Sequence, residues 1–211
     1  MKIGVVAATG KVGRLVVDEL ISRGYEPVAI VRDAHKVTQK IEVIEKDIFD
    51  LKTDDVSSFD IIVNAFGAPL GEEEAHVKAG RVLIDALKGT DTRLIVVGGA
   101  GSLYVDDAES VTLVESGNLP DIFMPSAKGQ ARNYEDIKQA EDLTWTFISP
   151  AGFFDPEGKK TGNFTLGKDK LMVNSQGESY ISYHDFVTAL VDEIEQPQHI
   201  NQRFTLVGEK A

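Results

Sequence analysis

The chain has 211 residues, of which 34 are acidic and 22 basic, giving a formal net charge of −12. This charge argues against nonspecific binding to nucleic acid or anionic membranes, because both surfaces would repel the protein. The absence of cysteine excludes disulfides, thiolate catalysis and cysteine-ligated metal centres. Hydrophobic residues make up 42% of the sequence, enough to bury a sizeable core, and we expect residues 1–211 to form a single domain.

A phosphate-binding turn is predicted at the start of the chain. Ile3–Val6 is a short apolar run typical of a buried parallel strand, and apolar residues at helical spacing follow soon after it. A strand, a glycine turn and a helix in this order present backbone N–H groups and the positive end of a helix dipole to a pyrophosphate. Gly10 would let phosphates approach closely, and Gly13 would let the helix pack on the strand. Ala7 occupies the first glycine position of the G-x-x-G-x-x-G pattern that is typical of such turns.

Strand-like and helix-like patterns alternate along the rest of the chain. Further strands are predicted at Pro27–Val31, Ile41–Ile44, Phe59–Asn64, Arg93–Val97, Trp145–Ile148 and Arg203–Val207, and further helices at Glu72–Leu87, Ser126–Glu141 and His184–Glu195. This succession predicts an α/β fold with a Rossmann-type, doubly wound parallel sheet in the strand order 3-2-1-4-5-6.

Residues 150–177 break this alternation. Phe164–Leu166 and Leu171–Val173 flank Gly167–Lys170 in the manner of a β-hairpin. We predict that the segment 150–177 forms a small C-terminal lobe that covers the substrate.

The sequence gives no sign of a membrane or metal-binding protein. No apolar run approaches the roughly 20 residues that span a bilayer, and Met1 leads directly into a core strand without room for a signal peptide. We therefore expect a cytoplasmic protein with a small-molecule substrate, whose oligomeric state is open. The histidines lack metal-ligand spacing, so no metal is expected. For His76, a solvated position on its helix is favoured over one facing a pocket.

The carboxyl end of the second predicted strand carries Arg32. Ligands of open α/β sheets bind beyond the carboxyl ends of the strands, and at this position a carboxylate binds the ribose of NAD whereas an arginine accommodates the 2′-phosphate of NADP. The sequence therefore predicts NADP, with Lys11 as a second cation. In the alternative interpretation Arg32 is a solvated charge paired with Asp33, and Asp33 also leaves NAD possible.

Other strand ends carry small or polar residues. Asp47 could accept a hydrogen bond from an adenine amino group or could simply start a turn. The small residues of Asn64–Gly67 would let a ribose and diphosphate lie against the backbone, and Gly98–Gly101 ends the next strand in a similar way. Ser102 could bind a substrate carbonyl, or could belong to a flexible loop.

Two lysines compete for a catalytic role. Tyr134 and Lys138 match the Tyr-x-x-x-Lys pattern of hydroxyl-activating reductases. However, at 1.5 Å per residue Tyr134 would lie roughly 12 Å down its helix from the strand ends, so we interpret the match as accidental. Lys128 lies in the first turn of that helix, near the expected nicotinamide ribose, and is the better candidate, with ribose binding alone as the alternative role.

With these residues in place, the chain resembles the NADH-flavin reductase family, a bacterial branch of the atypical short-chain dehydrogenases related to NmrA-like proteins and biliverdin-IXβ reductase. The motifs that carry the resemblance are Ala8–Gly13, Ile30–Arg32, Lys46–Phe49, Val96–Ala100, Trp145–Pro150, Thr161–Gly162, Ile181–Asp185 and Val191–Glu195. The resemblance implies a cofactor cleft lined by Thr9, Gly10, Lys11, Val12, Arg32, Asp47, Asn64, Ala65 and Gly98. The predicted cofactor site also includes Ala7, Gly13, Ile48, Phe66, Gly67, Gly99 and Pro150, and the predicted catalytic residues are Lys128 and Ser102.

The leading functional interpretation is an NAD(P)H-dependent reductase that passes hydride to a planar conjugated acceptor such as a flavin or quinone, with the flavin as substrate and not as a tightly bound cofactor. Hydride can add to a flavin while solvent supplies the proton, whereas ketone reduction benefits from a fixed acid. Phe66, Phe153 and Phe154 could stack on such an acceptor or belong to the core. The alternatives are a non-catalytic NADP(H)-sensing regulator of the NmrA-like kind and a nucleotide-sugar epimerase or dehydratase.

Overall fold

The structure, a computed structural model that describes all 211 residues, is built around an eight-stranded sheet. The strands are β1 (Ile3–Val6), β2 (Val28–Val31), β3 (Val43–Glu45), β4 (Ile61–Asn64), β5 (Arg93–Val97), β6 (Thr144–Ser149), β7 (Phe153–Asp155), β8 (Phe164–Gly167), β9 (Tyr180–Ser182) and β10 (Gln202–Gly208). The helices are α1 (Lys11–Ser22), α2 (Thr53–Val56), α3 (Glu73–Leu87), α4 (Met124–Lys138) and α5 (Tyr183–Glu195). None of these helices has the length and apolar character needed to cross a lipid bilayer.

The strand order of the large sheet is β3-β2-β1-β4-β5-β6-β10-β8. All neighbouring strands are parallel except β10 and β8, which are antiparallel. The predicted Rossmann-type order 3-2-1-4-5-6 is therefore confirmed, with two further strands added beyond β6. Because the seven parallel strands point the same way, their carboxyl ends meet at one edge of the sheet, where ligands of such sheets bind.

Two hydrophobic layers bury the two faces of the sheet. On one face α1 and α5 pack together and contribute side chains such as Val16, Leu20 and Phe186. On the other face α3 and α4 pack together and contribute side chains such as Leu83 and Ile137. Since helices cover both faces, the central strands are apolar at nearly every position, and they read in the sequence as continuous hydrophobic runs.

The predicted hairpin in the segment 150–177 is wrong. β8 pairs with β10, with Leu166 opposite Leu206, and Leu171–Val173 is not a strand. The backbone N–H of Leu171 donates to the carbonyl of Tyr104 instead. The apolar residues on either side of Gly167–Lys170 suggested a local partner, but β8 instead satisfies the backbone hydrogen-bonding groups at the edge of β10.

A second, two-stranded parallel sheet formed by β7 and β9 joins this segment to the start of α5. The carboxylate of Asp185, which is fully buried in the first turn of α5, accepts hydrogen bonds from the backbone N–H and the hydroxyl of Thr161 and from the backbone N–H of Gly162. These bonds fix the loop before β8 against the N-terminus of α5.

Candidate functional site

A cleft of about 680 Å³ opens at the carboxyl ends of β1, β2 and β4. Its volume falls within the range of small-molecule sites, roughly 300–1,000 Å³. The cleft lies where the chain connections leave β1 in opposite directions, which is the switch point at which doubly wound sheets bind ligands. The predicted site residues that line it are Ala7, Thr9, Gly10, Lys11, Val12, Arg32, Ile48, Ala65, Phe66 and Gly67.

The turn between β1 and α1 forms the floor of this cleft. The N–H of Gly10 donates to the carbonyl of Ala7 at 2.9 Å, and the carbonyl of Gly10 accepts from the N–H of Arg14 at 3.0 Å, which starts the helix. No side chain caps this end of α1, and no acidic residue lies in its first turn. The first-turn N–H groups are therefore free to bind an anion in the cleft.

The glycines of the turn have different roles. A Cβ on Gly13 would collide with the carbonyl oxygen of Ala7, so Gly13 allows α1 to pack against the turn, and it does not line the cleft. A Cβ on Gly10 would lie 3.2 Å from the same oxygen and would point into a less crowded space. Ala7 itself has a φ of 58°, in the left-handed region that favours glycine.

Cationic side chains gather at the end of the cleft beside β2. Arg32 is exposed and forms no hydrogen bond or ion pair within the chain. Asp33 accepts a hydrogen bond from the N–H of His35 at 3.1 Å and lies 3.6 Å from the ammonium of Lys36. The ion pair between Arg32 and Asp33, which the alternative interpretation expects, is therefore not formed. Lys46 also lines the cleft but is paired with Asp55 at 2.7 Å.

Asp47 and Asn64 shape the cleft without lining it. The carboxylate of Asp47 accepts from the N–H of Phe49 at 3.1 Å and starts a 3₁₀ turn that carries Ile48. The side-chain oxygen of the buried Asn64 accepts from the N–H of Phe66 at 3.1 Å. Of the two interpretations of Asp47, the structure shows the turn, and its contact with an adenine amino group stays a prediction.

A buried histidine contacts the loop after β4. The ring of His76 is only 7% exposed and meets the ring of Phe66 edge-on at 5.8 Å. Its Nε2 atom accepts a hydrogen bond from the N–H of Ala68 at 3.4 Å, and burial lowers the pKa of His76 to about 4. The expected solvated position of His76 is therefore wrong, because α3 turns this residue toward the cleft loop.

The small residues after β5 and β6 do not line the cleft. A Cβ on Gly98 would collide with the ring of Phe147, and one on Gly99 would lie 3.1 Å from the side chain of Gln130. Pro150 is buried directly after β6. These positions keep the end of the sheet compact, and their contact with a cofactor stays a prediction.

Ser102 and Lys128 line a different depression, of about 440 Å³, next to α4. The hydroxyl of Ser102 accepts a hydrogen bond from the guanidinium of Arg203 at 2.8 Å, and that guanidinium also binds Asp169 at 2.6 Å. Lys128 is exposed and carries no partner in the chain. Neither side chain lines the large cleft, so their catalytic role gains no support from this geometry and stays a prediction.

Tyr134 is a core residue. Its ring meets Trp145 edge-on at 6.3 Å, lies 5.0 Å from the ring of Phe147, and supports the guanidinium of Arg203 at 4.3 Å. Burial raises the pKa of its hydroxyl, and the residue does not line the cleft. This position agrees with the interpretation of the Tyr-x-x-x-Lys match, with Lys138, as accidental.

Several cleft residues were not predicted, above all Tyr183, Lys36 and Leu70. Tyr183 begins α5, is half-buried, and packs its ring against Phe154 at a centroid distance of 4.1 Å. Tyr183 belongs to the motif Ile181–Asp185, but nothing in that motif shows that it reaches the cleft, because the pairing of β7 with β9 brings it there from far along the chain. Lys36 had a usable signal, as it follows Arg32 by four residues at the same strand end.

Comparison with known proteins agrees with this geometry. The profile of a family described as NAD(P)H-binding matches residues 7–197. The protein YwnB of Bacillus subtilis (strain 168), itself uncharacterized, is 50% identical over 99% of both chains.

Solved structures are also similar over the full length. The crystal structure of a Streptococcus pneumoniae TIGR4 protein, named a putative NADH-flavin reductase, has a TM-score of 0.92 and 40% identity, covering 99% of this chain and 100% of that one. A putative epimerase from Bacteroides thetaiotaomicron has a TM-score of 0.87 and 31% identity, covering 100% and 98% of the two chains. The family profile, the sheet order and the cleft at its switch point together show that this chain belongs to the NAD(P)H-binding family.

Proposed function

We propose that this chain is an NADPH-dependent reductase that passes hydride to a flavin or a similar planar conjugated acceptor. When bound, the nicotinamide cofactor supplies the hydride. The observation that carries the proposal is the cleft itself, which combines an uncapped helix N-terminus, the unpaired cations Arg32 and Lys11, and apolar walls.

The residues present fit a dinucleotide with a 2′-phosphate. The free N–H groups at the start of α1 suit the pyrophosphate, and the missing side chain of Gly10 leaves it room. Arg32, which has no partner of its own, would hold the 2′-phosphate, and Lys36 would add positive charge beside it, while Lys11 adds positive charge at the start of α1. A charge-assisted hydrogen bond is stronger than a neutral one, so Arg32 favours NADPH over NADH.

The wall of the cleft formed by the loop after β4 suits a flat, apolar ring. Ala65, Phe66, Ala68 and Leu70 line it, and Leu70 is 64% exposed, so its side chain is available to cover a bound ring. No Tyr-x-x-x-Lys pair lies in the cleft, since Tyr134 is in the core. An acceptor that takes hydride while solvent supplies the proton therefore fits this chain better than a ketone. The similarity to a protein named as an NADH-flavin reductase supports the same choice.

The test is steady-state oxidation of NADPH by the purified protein with FMN, riboflavin, a quinone or biliverdin as acceptor. We expect turnover with at least one flavin, and loss of that turnover in a folded Gly10→Val variant. Binding of NADPH without oxidation by any of these acceptors would contradict the proposal and favour a cofactor-sensing regulator.

A further inference from the structure

Tyr183 is the one residue of the large cleft that comes from beyond position 70 of the chain. It is the first residue of α5, and the C-terminal half of the molecule reaches the cleft through it alone. Tyr183 is therefore the contribution of the C-terminal half of the chain to whatever the cleft binds.

The location of Tyr183 within the cleft follows from the packing of α1 on α5. Arg23, directly after α1, forms ion pairs at 2.7 Å with both Asp192 and Glu195 near the end of α5. Because the two helices pack together and their C-terminal ends meet, their N-terminal ends also lie side by side. Tyr183 is thereby placed next to Lys11 and Val12, which line the same cleft.

The ring of Tyr183 is held in place while its hydroxyl is left free. Phe154 packs against the ring, the hydroxyl of Ser182 caps α5 by accepting from the N–H of Asp185, and Asp185 fixes the adjoining loop. The hydroxyl of Tyr183 forms no hydrogen bond within the chain. By contrast, the nearby Tyr180 donates its hydroxyl to the carboxylate of Asp155 at 3.1 Å.

Burial and the neighbouring Asp155 raise the pKa of Tyr183, so its hydroxyl keeps its proton at neutral pH. A neutral, oriented hydroxyl beside the first turn of a helix is a suitable donor to a phosphate oxygen. Arg32 and Lys36, to which the proposed function assigns the adenosine half of the cofactor, lie at the carboxyl end of β2, whereas Tyr183 lies at the start of α5.

We propose that Tyr183 is a positioning residue whose hydroxyl donates a hydrogen bond to the phosphate on the nicotinamide side of the bound dinucleotide. The start of α5 would in this way hold the nicotinamide half of the cofactor, while the residues after β2 hold the adenosine half. The inference rests on the cofactor orientation proposed above and does not depend on the identity of the acceptor.

Calorimetric titration of two ligands against three proteins tests this role. The ligands are NADPH and 2′,5′-ADP, which has the adenosine half but lacks the nicotinamide-side phosphate. The proteins are the unmodified chain, Tyr183→Phe and, as the matched control, Tyr180→Phe, which removes a hydroxyl that does not line the cleft. We expect Tyr183→Phe to weaken NADPH binding about tenfold, as for a lost hydrogen bond to a charged group. Its affinity for 2′,5′-ADP, and both affinities of Tyr180→Phe, should stay within about twofold of the unmodified chain.

Unchanged NADPH affinity in Tyr183→Phe would overturn the inference, and so would an equal loss for both ligands, which would indicate a general distortion of the cleft. If the unmodified chain binds NADH as tightly as NADPH, the proposed role of Arg32 fails independently. The pair NADH and AMP then tests Tyr183 in the same way, with the same expected difference between the two ligands.

Discussion

At the scale of single residues, Ala7 is one of four non-glycine residues with a left-handed backbone, and it is the one that lines the cleft. Its φ of 58° lies in the left-handed region, which costs an alanine about 1–2 kcal/mol. The turn requires this conformation, because the carbonyl of Ala7 must accept from Gly10 and lie against Gly13. The sequence pattern has a glycine at this point for the same reason.

We therefore predict that Ala7→Gly raises the free energy of unfolding by up to about 1 kcal/mol. Relief of the strained φ exceeds the extra backbone entropy that glycine loses on folding. Chemical denaturation measures the change, and Ala8→Gly, at a neighbouring buried position without a positive φ, should instead lower the stability. A lower stability for Ala7→Gly would show that the turn is not strained.

Arg32 is predicted to determine the preference of the protein for NADPH over NADH. Arg32→Ala should weaken NADPH binding by roughly ten- to a hundredfold, because a charge-assisted phosphate contact contributes about 1.5–3 kcal/mol, and should leave NADH binding nearly unchanged. Titration calorimetry checks both affinities. Arg14→Ala is the control, since Arg14 is exposed on α1 and does not line the cleft. Equal losses for the two cofactors would refute a contact with the 2′-phosphate.

At the scale of elements, the short turn between β1 and α1 contains one glycine suited to ligand binding and another required for helix packing. Gly10 faces the space where phosphates would lie, whereas Gly13 presses against the turn itself. The same substitution at the two glycines should therefore have different effects. This turn is also the part of the site that the sequence predicts best, because its residues are local and consecutive.

Gly10→Val is expected to abolish or sharply weaken NADPH binding while the protein stays folded. Gly13→Val should lower the melting temperature clearly more than Gly10→Val, because its side chain would collide with backbone atoms of the turn. Thermal unfolding and calorimetry on both variants separate the two effects. Unchanged NADPH affinity in a folded Gly10→Val protein would rule out this turn as the phosphate site.

The elements that sequence reasoning missed share a physical cause. β7 and β9 have three residues each, too few for a periodic pattern, and each is a strand only because it meets the other. β8 was recognised as a strand but assigned the wrong partner, since its pairing with β10 is non-local. Tyr183 was missed for the same reason, because no feature of its own neighbourhood shows that α5 begins beside α1. By contrast, the six strands of the predicted order were found because each contains an apolar run, which in all of them except β3 is buried.

At the scale of the whole molecule, the local charge at the cleft is opposite in sign to the net charge of the chain. The chain carries a net charge of −12, which by itself would repel an anionic dinucleotide. Lys11, Arg32 and Lys36 gather at the cleft and reverse the sign locally. Composition alone therefore predicts no nonspecific binding to nucleic acid, and it does not reveal the binding site.

Stability should depend on pH through His76. Burial holds its pKa at about 4 in the folded state, below the ordinary value of 6.5, so the unfolded chain binds a proton first as the solution is acidified. The free energy of unfolding should fall between about pH 6.5 and pH 4, by at most about 3 kcal/mol. Denaturation at several pH values measures this slope, and His76→Gln should flatten it whereas the exposed control His35→Gln should not. An equally steep slope in His76→Gln would show that other titrating groups cause the pH dependence of the stability.

The most direct test of the central claim is a single-turnover experiment in which the protein, loaded with NADPH, is mixed without oxygen with FMN. The absorbance of NADPH and that of the oxidised flavin are followed in the same trace. The proposed function predicts that both fall together, with one flavin reduced for each NADPH consumed, and that Gly10→Val abolishes the reaction. Tight NADPH binding with no loss of either absorbance would contradict the assignment as a flavin reductase.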